Sequence, residues 1–124
     1  MNKTILIADD EDNILISLEF LMKREGYNVI VAHDGQEAID AISREHPDLV
    51  LLDVMMPEKT GFDVCQEVRA NPELKDILIL MLTAKGRDTD IAKGLAMGAN
   101  DYVIKPFSTR ELAQKVRDML ETEA

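Results

Sequence analysis

Two rhythms of apolar and polar positions alternate along this chain. Five stretches are near-continuous in Val, Ile and Leu: residues 4–8 (TILIA), 27–32 (YNVIVA), 48–53 (DLVLLD), 77–82 (ILILML) and 102–105 (YVIK). Between them, apolar residues recur three and four positions apart. Ile14, Leu15, Leu18, Leu21 and Met22 make one such stripe, ending near Gly26. Ala38, Ile39, Ala41 and Ile42 make a second, with Asp34 placed to cap it. Phe62, Cys65 and Val68 make a third, stopped near Pro72. Residues 88–97 form a weak fourth, with Gly94 inside it and Gly98 at its end. The last carries Leu112, Val116, Met119 and Leu120 behind a Ser108/Glu111 capping box. Apolar runs of strand length predict buried strands, and the spaced stripes predict amphipathic helices. The order is βα repeated five times. Strands apolar on both faces belong to a parallel sheet covered on both sides, so the fold class is a doubly wound α/β domain.

In such sheets ligands bind beyond the carboxyl ends of the strands, so the residues there carry the candidate chemistry. Strand one runs into Asp9 and Asp10, strand two into His33 and Asp34, and strand three into Asp53. Strand four runs into Thr83 and Ala84, and strand five into Lys105 and Pro106. Singly, each of these has a plainer reading as a turn, a helix cap or a surface lysine. Jointly, they bring three carboxylates, a hydroxyl and an ammonium to one edge. Clustered carboxylates repel unless protonated or paired with a cation. Oxygen donors without Cys or His suit a hard ion, Mg²⁺ or Mn²⁺. Cation, ammonium and hydroxyl around a carboxylate suit phosphoryl transfer, with Asp53 as the nucleophile that forms an acyl phosphate.

Composition narrows the surroundings. The chain has 124 residues, one domain's worth, read as a single unit over 1–124. Its net charge of −10 and lack of a basic cluster argue against direct nucleic-acid binding. No apolar run approaches the ~20 residues of a membrane span, and no signal peptide is evident. The single cysteine, Cys65, lies on an apolar stripe and reads as core. A reducing compartment, the cytoplasm, is the expectation. His33 and His46 have no partner at metal-ligand spacing and read as surface residues, and Met55 and Met56 read as loop residues.

Four segments carry a resemblance: ILIADDE (5–11), LVLLDVMMPEKTGFDV (49–64), LMLTAK (80–85) and GANDYVIKPF (98–107). With the spacing from Asp53 to Thr83 to Lys105, they make the chain similar to the receiver domains of two-component response regulators over essentially its whole length. The resemblance implies a flavodoxin-like three-layer sandwich with strand order 2-1-3-4-5. It implies that Asp53 accepts a phosphoryl group from a phosphohistidine on a sensor histidine kinase or a histidine phosphotransfer protein. Asp10, Asp53 and the backbone carbonyl of Met55 would then bind Mg²⁺ directly, and Asp9 through water. Thr83 and Lys105 would contact the phosphoryl group, Tyr102 would turn inward with Thr83, and the Lys105–Pro106 bond would be cis. The chain would be a signalling phosphoacceptor, not an enzyme acting on an external substrate.

Further expectations concern switching. The weak fourth helix, with strand five and helix five, is the expected output face, and Gly94 costs that helix about 1 kcal/mol against Ala. Met55 and Lys85 are expected to flank the path of an attacking water, and neither orients one, so self-dephosphorylation should be slow. Asp101 with Lys115, and Glu111 or Arg110, are candidates for ion pairs across a homodimer through the output face. These pairs resemble those of receivers of winged-helix transcription factors, but the resemblance implies a basic residue where Ile91 stands, which leaves dimerisation open. Two rival families fit less well. A phosphatase of the haloacid dehalogenase type needs a second Asp where Met55 stands, and a cap domain for which there is no room. A flavodoxin-like cofactor protein needs a phosphate-binding loop where the acidic run 9–12 stands.

Overall fold

A computed structural model describes residues 2–122. The chain alternates β1 (Thr4–Ala8), α1 (Asp12–Arg24), β2 (Asn28–Ala32), α2 (Gly35–Glu45), β3 (Leu49–Asp53), α3 (Gly61–Ala70), β4 (Leu78–Ala84), α4 (Asp88–Ala96), β5 (Asp101–Lys105) and α5 (Thr109–Thr122). All five strands are parallel, in the order β2-β1-β3-β4-β5. This is the doubly wound fold that the alternation of runs and stripes predicts. The terminal residues 1, 123 and 124 of the expected domain lie outside the described residues.

Alternation along the strands sorts the core into two layers. Leu6, Val50, Leu52, Ile79 and Met81 pack with α2 and α3 residues such as Ile42, Val64 and Val68. Ile5, Ile7, Leu49, Leu51, Leu80 and Leu82 pack with Leu18, Met22, Leu112 and Val116 of α1 and α5. Side chains leave a strand on opposite faces in turn, so a strand buried on both sides must be apolar throughout. All five residues of β3 are buried.

Two connections shape the edge of the sheet where the strands end. The chain leaves β3 through residues 54–60, where Met56 is buried in the core while Met55 is 58% exposed. The reading of both as loop residues therefore holds only by position, because Met56 also packs. The loop closes on Gly61, whose amide donates to the carbonyl of Val54 at 2.8 Å. A Cβ on Gly61 would run into the backbone carbonyl of Asp53, so only glycine lets α3 start this close to the strand end. A full capping box stands at that start. Asp63 N–H donates to Thr60 Oγ1 at 3.2 Å and Thr60 N–H to Asp63 Oδ2 at 3.0 Å. Between β5 and α5, Glu111 N–H donates to Ser108 Oγ at 2.9 Å, which is the Ser108 half of the expected box.

Candidate functional site

The sheet reverses its winding between β1 and β3, since β1 leads outward to β2 and β3 leads the other way to β4 and β5. The crevice beyond the carboxyl ends opens at such a reversal. Asp9 and Asp10 follow β1 there, and Asp53 ends β3 beside them. Each of the three offers a carboxylate oxygen within 4.8 Å of the others. Lys105, ending β5, reaches across with its ammonium 3.0 Å from Asp9 Oδ2 and 3.3 Å from Asp53 Oδ1. Its bond to Pro106 is cis.

Asp9 is fully buried, and Asp53 and Thr83 nearly so. Asp9 Oδ1 also accepts the amide of Glu11 at 2.9 Å, which ties the start of α1 to the cluster. Burial pushes the Asp53 carboxyl up to about 6; the charge of Asp9 adds to the rise and Lys105 opposes it. Burial works against the Lys105 ammonium, but its hydrogen bond to Asp9 and the charges of Asp53 and Asp9 outweigh that and hold its pKa above the ordinary value. The negative charge of the cluster acts on both groups: it adds to the burial that raises Asp53, and it overcomes the burial that opposes Lys105. The cluster's donors are all oxygen, so the residues fit a hard divalent cation and can hold one.

Thr83 follows Ile79 and Met81 in the alternation of β4, on the α4 side of the sheet. Its Oγ1 is buried and has no hydrogen-bond partner. A buried polar atom normally has one, so this orphan hydroxyl is ready for an acceptor arriving in the cleft. Tyr102 is paired in register with Met81 and packs on the same core layer as a half-buried side chain. It lines a narrow apolar space with Thr83, Ile91 and Leu95.

Asp10, Asp53, Met55, Thr83 and Lys105 line one cleft of about 320 Å³. The sequence-predicted set thus converges, with Tyr102 beside Thr83 in the adjoining apolar space. Glu11, Arg87 and Asp90 line the cleft too, and the sequence patterns assign them no role. Glu11 was legible as part of the acidic run after β1. Arg87 was not, because its approach depends on the path of the β4–α4 loop. Lys85, expected at the water path, is exposed and does not belong to the lining, where Arg87 stands instead.

The remaining candidates fall as expected or are revised. Cys65 is buried and its thiol donates to the carbonyl of Met97 at 3.3 Å. His33 and His46 are exposed, and His33 Nδ1 lies 2.9 Å from Glu37 Oε1. Lys115 reaches Asp101 at 3.2 Å within the chain, so that pair already exists without a second copy. Among the described residues no helix is long and apolar enough to cross a membrane.

Comparison with known proteins agrees with this geometry. A family model for the response regulator receiver domain matches residues 5–117. A protein from Chloroflexus aurantiacus J-10-fl assigned as a response regulator is 39% identical, with a TM-score of 0.93 over 98% of this chain and 99% of that one. The signal receiver domain of a signal transduction histidine kinase from Syntrophus aciditrophicus is 31% identical, with a TM-score of 0.90 over 97% and 91%. NtrX from Brucella abortus is 28% identical, with a TM-score of 0.89 over 99% of this chain but 28% of its own. The phosphatase and flavin readings give way to this match. The acid cluster at the reversal of the sheet and the match over nearly the whole chain lead to one conclusion: this chain belongs to the response regulator receiver domain family, and is a phosphoacceptor signalling domain rather than a conventional enzyme.

Proposed function

We propose that Asp53 is the phosphoacceptor and that the chain works as a single receiver unit fed by a histidine kinase or histidine phosphotransfer protein. One observation carries this reading. Asp53 is the carboxylate that ends the central strand, lines the open cleft and meets Lys105 at 3.3 Å. An Asp53 carboxylate oxygen attacks phosphorus of the phosphohistidine. The N–P bond breaks as the O–P bond forms, and the imidazole leaves with the electron pair and takes up a proton. Lys105 stays beside the oxygen that it already contacts and offsets the charge of the transferring group. Thr83 donates its orphan hydroxyl to a phosphoryl oxygen, and Tyr102 moves into the adjoining space. Asp10, Asp53 and the Met55 carbonyl would hold Mg²⁺, or Mn²⁺ in its place, with Asp9 behind a water. The cation, when bound, neutralises carboxylates and phosphoryl oxygens together.

The output face is α4, β5 and α5. Gly94 is the one buried residue of α4, and Leu95 of α4 and Ile104 of β5 are exposed apolar side chains. That surface suits either a partner protein or a second copy. The Asp101–Lys115 pair would have to open before it could act across a dimer. A phosphodonor has an apolar landing beside the site, because Lys105 also lines a groove with Ile14, Leu18, Pro106 and Phe107. The test is labelling by acetyl phosphate with Mg²⁺. Wild type takes up one phosphoryl group that is lost in hydroxylamine, and Asp53→Ala takes up none. Equal labelling of the two would move the acceptor elsewhere.

A further inference from the structure

We propose that Arg87, in the β4–α4 connection, is a second cationic ligand of the phosphoryl group, and that it exchanges Asp90 for that group when the domain is phosphorylated. The inference rests on Asp53 as acceptor and concerns a residue outside the Asp, Thr and Lys set. Arg87 and Asp90 both line the cleft that holds Asp53, Thr83 and Lys105. The lining carries four acids, Asp10, Glu11, Asp53 and Asp90, against two cations, Lys105 and Arg87. Lys105 is already engaged by Asp9 and Asp53. Arg87 is engaged only at the edge of the site, where its Nε donates to Asp90 Oδ2 at 2.7 Å.

That pair is exchangeable. The Arg87 side chain is half exposed, so it can swing away, while Asp90, 14% exposed, stays in the lining. A phosphoryl group brings roughly −1.5 to −2 charges and several acceptor oxygens. Guanidinium binds such a group through two parallel N–H bonds, a geometry that one carboxylate contact through Nε does not use up. Charge and donor geometry both favour the phosphoryl group over Asp90.

The exchange has a structural consequence. Arg87 sits at the N-cap of α4 with φ −105° and ψ 53°, and no side chain caps that end. The Arg87–Asp90 pair therefore spans the first turn of α4 where a cap would otherwise hold it. Asp90 also lines the narrow space shared by Thr83 and Tyr102. Drawing Arg87 toward Asp53 releases Asp90 at the point where that space meets α4. A charge change in the cleft is thereby carried to the start of the output helix.

The test compares wild type, Asp53→Ala, Arg87→Ala and Arg87→Lys for labelling by phosphoramidate, for Mg²⁺ affinity by calorimetry, and for melting temperature. Arg87→Ala is expected to label about tenfold more slowly. It should bind Mg²⁺ more tightly than wild type, because a positive charge has left the metal's surroundings. Arg87→Lys should recover part of the rate, as a point charge without the fork. Opposite signs for labelling and metal affinity are what a merely structural residue would not produce. Labelling of Arg87→Ala at the wild-type rate overturns the inference and leaves Asp53 as acceptor. So does a parallel fall in labelling, Mg²⁺ affinity and melting temperature. Failure of wild type to label, or label retained in Asp53→Ala, overturns the acceptor assignment and this inference with it.

Discussion

At the scale of single residues, Asp53 is a stability cost within the acid cluster. Its pKa is raised from the ordinary carboxylate value to about 6 by burial, with the charge of Asp9 behind it. The folded protein therefore binds this proton more tightly than the unfolded chain does. Its contribution is fully present below about pH 4 and is lost as pH rises through 6. At pH 7.5 the ionised group costs about 3 kcal/mol at most, from a shift of about two units. Asp53→Asn should then stabilise the metal-free protein by roughly 1–3 kcal/mol at pH 7.5, and the gain should shrink toward zero near pH 4. Urea unfolding with chelator at both pH values checks it, and a gain that grows on acidification contradicts it. Met55 makes a second residue-scale case. It lines the cleft, whereas Lys85 does not. Met55→Asn, which adds a group able to orient water, should shorten the phosphoryl lifetime several-fold, on the order of one hydrogen bond's worth. Lys85→Glu alone should change it little. Decay of the labelled protein at fixed Mg²⁺ separates the two.

At the scale of elements, α4 departs from its propensity. From sequence, Gly94 reads as a weakness of about 1 kcal/mol against Ala. In the fold it is the buried residue of α4, and a Cβ there would run into the Met81 sulfur. Met81 is buried beneath the helix, so its thioether must shift within the core to make room. Gly94→Ala should therefore destabilise by about 1–3 kcal/mol, as overpacking does, instead of stabilising by the propensity difference. Coupling to Met81→Ala should be strongly non-additive, because the smaller residue makes the room. Chemical denaturation of the two single variants and the double variant decides this. The helix is also tied sideways, with Lys93 Nζ 4.5 Å from the centre of the Phe62 ring on α3. A helix with one buried residue, no side-chain N-cap and such side ties suits a low-stability element that shifts as a unit.

At the scale of the whole molecule, the site joins elements far apart in sequence. Lys105 contacts Asp9 from 96 residues away and Asp53 from 52 away. A cation binding the acid cluster therefore binds only the folded chain. At a hundredfold excess over its dissociation constant, Mg²⁺ should add about 2.7 kcal/mol, and chelator should remove it. Thermal melts with and without Mg²⁺ measure this, and Asp10→Ala should abolish most of the difference. By itself the sequence determined the order of strands and helices, because two-sided burial demands unbroken apolar runs and one-sided burial demands stripes. It also determined which residues end each strand, and so which chemistry could gather on one edge. The tertiary structure alone decided the rest. Met56 packs although it reads as loop, Thr83 keeps an unpartnered hydroxyl, Asp101 takes Lys115 within its own chain, and Arg87 rather than Lys85 lines the cleft of Asp53. Each depends on a loop path or a contact between distant segments, and no local periodicity encodes those.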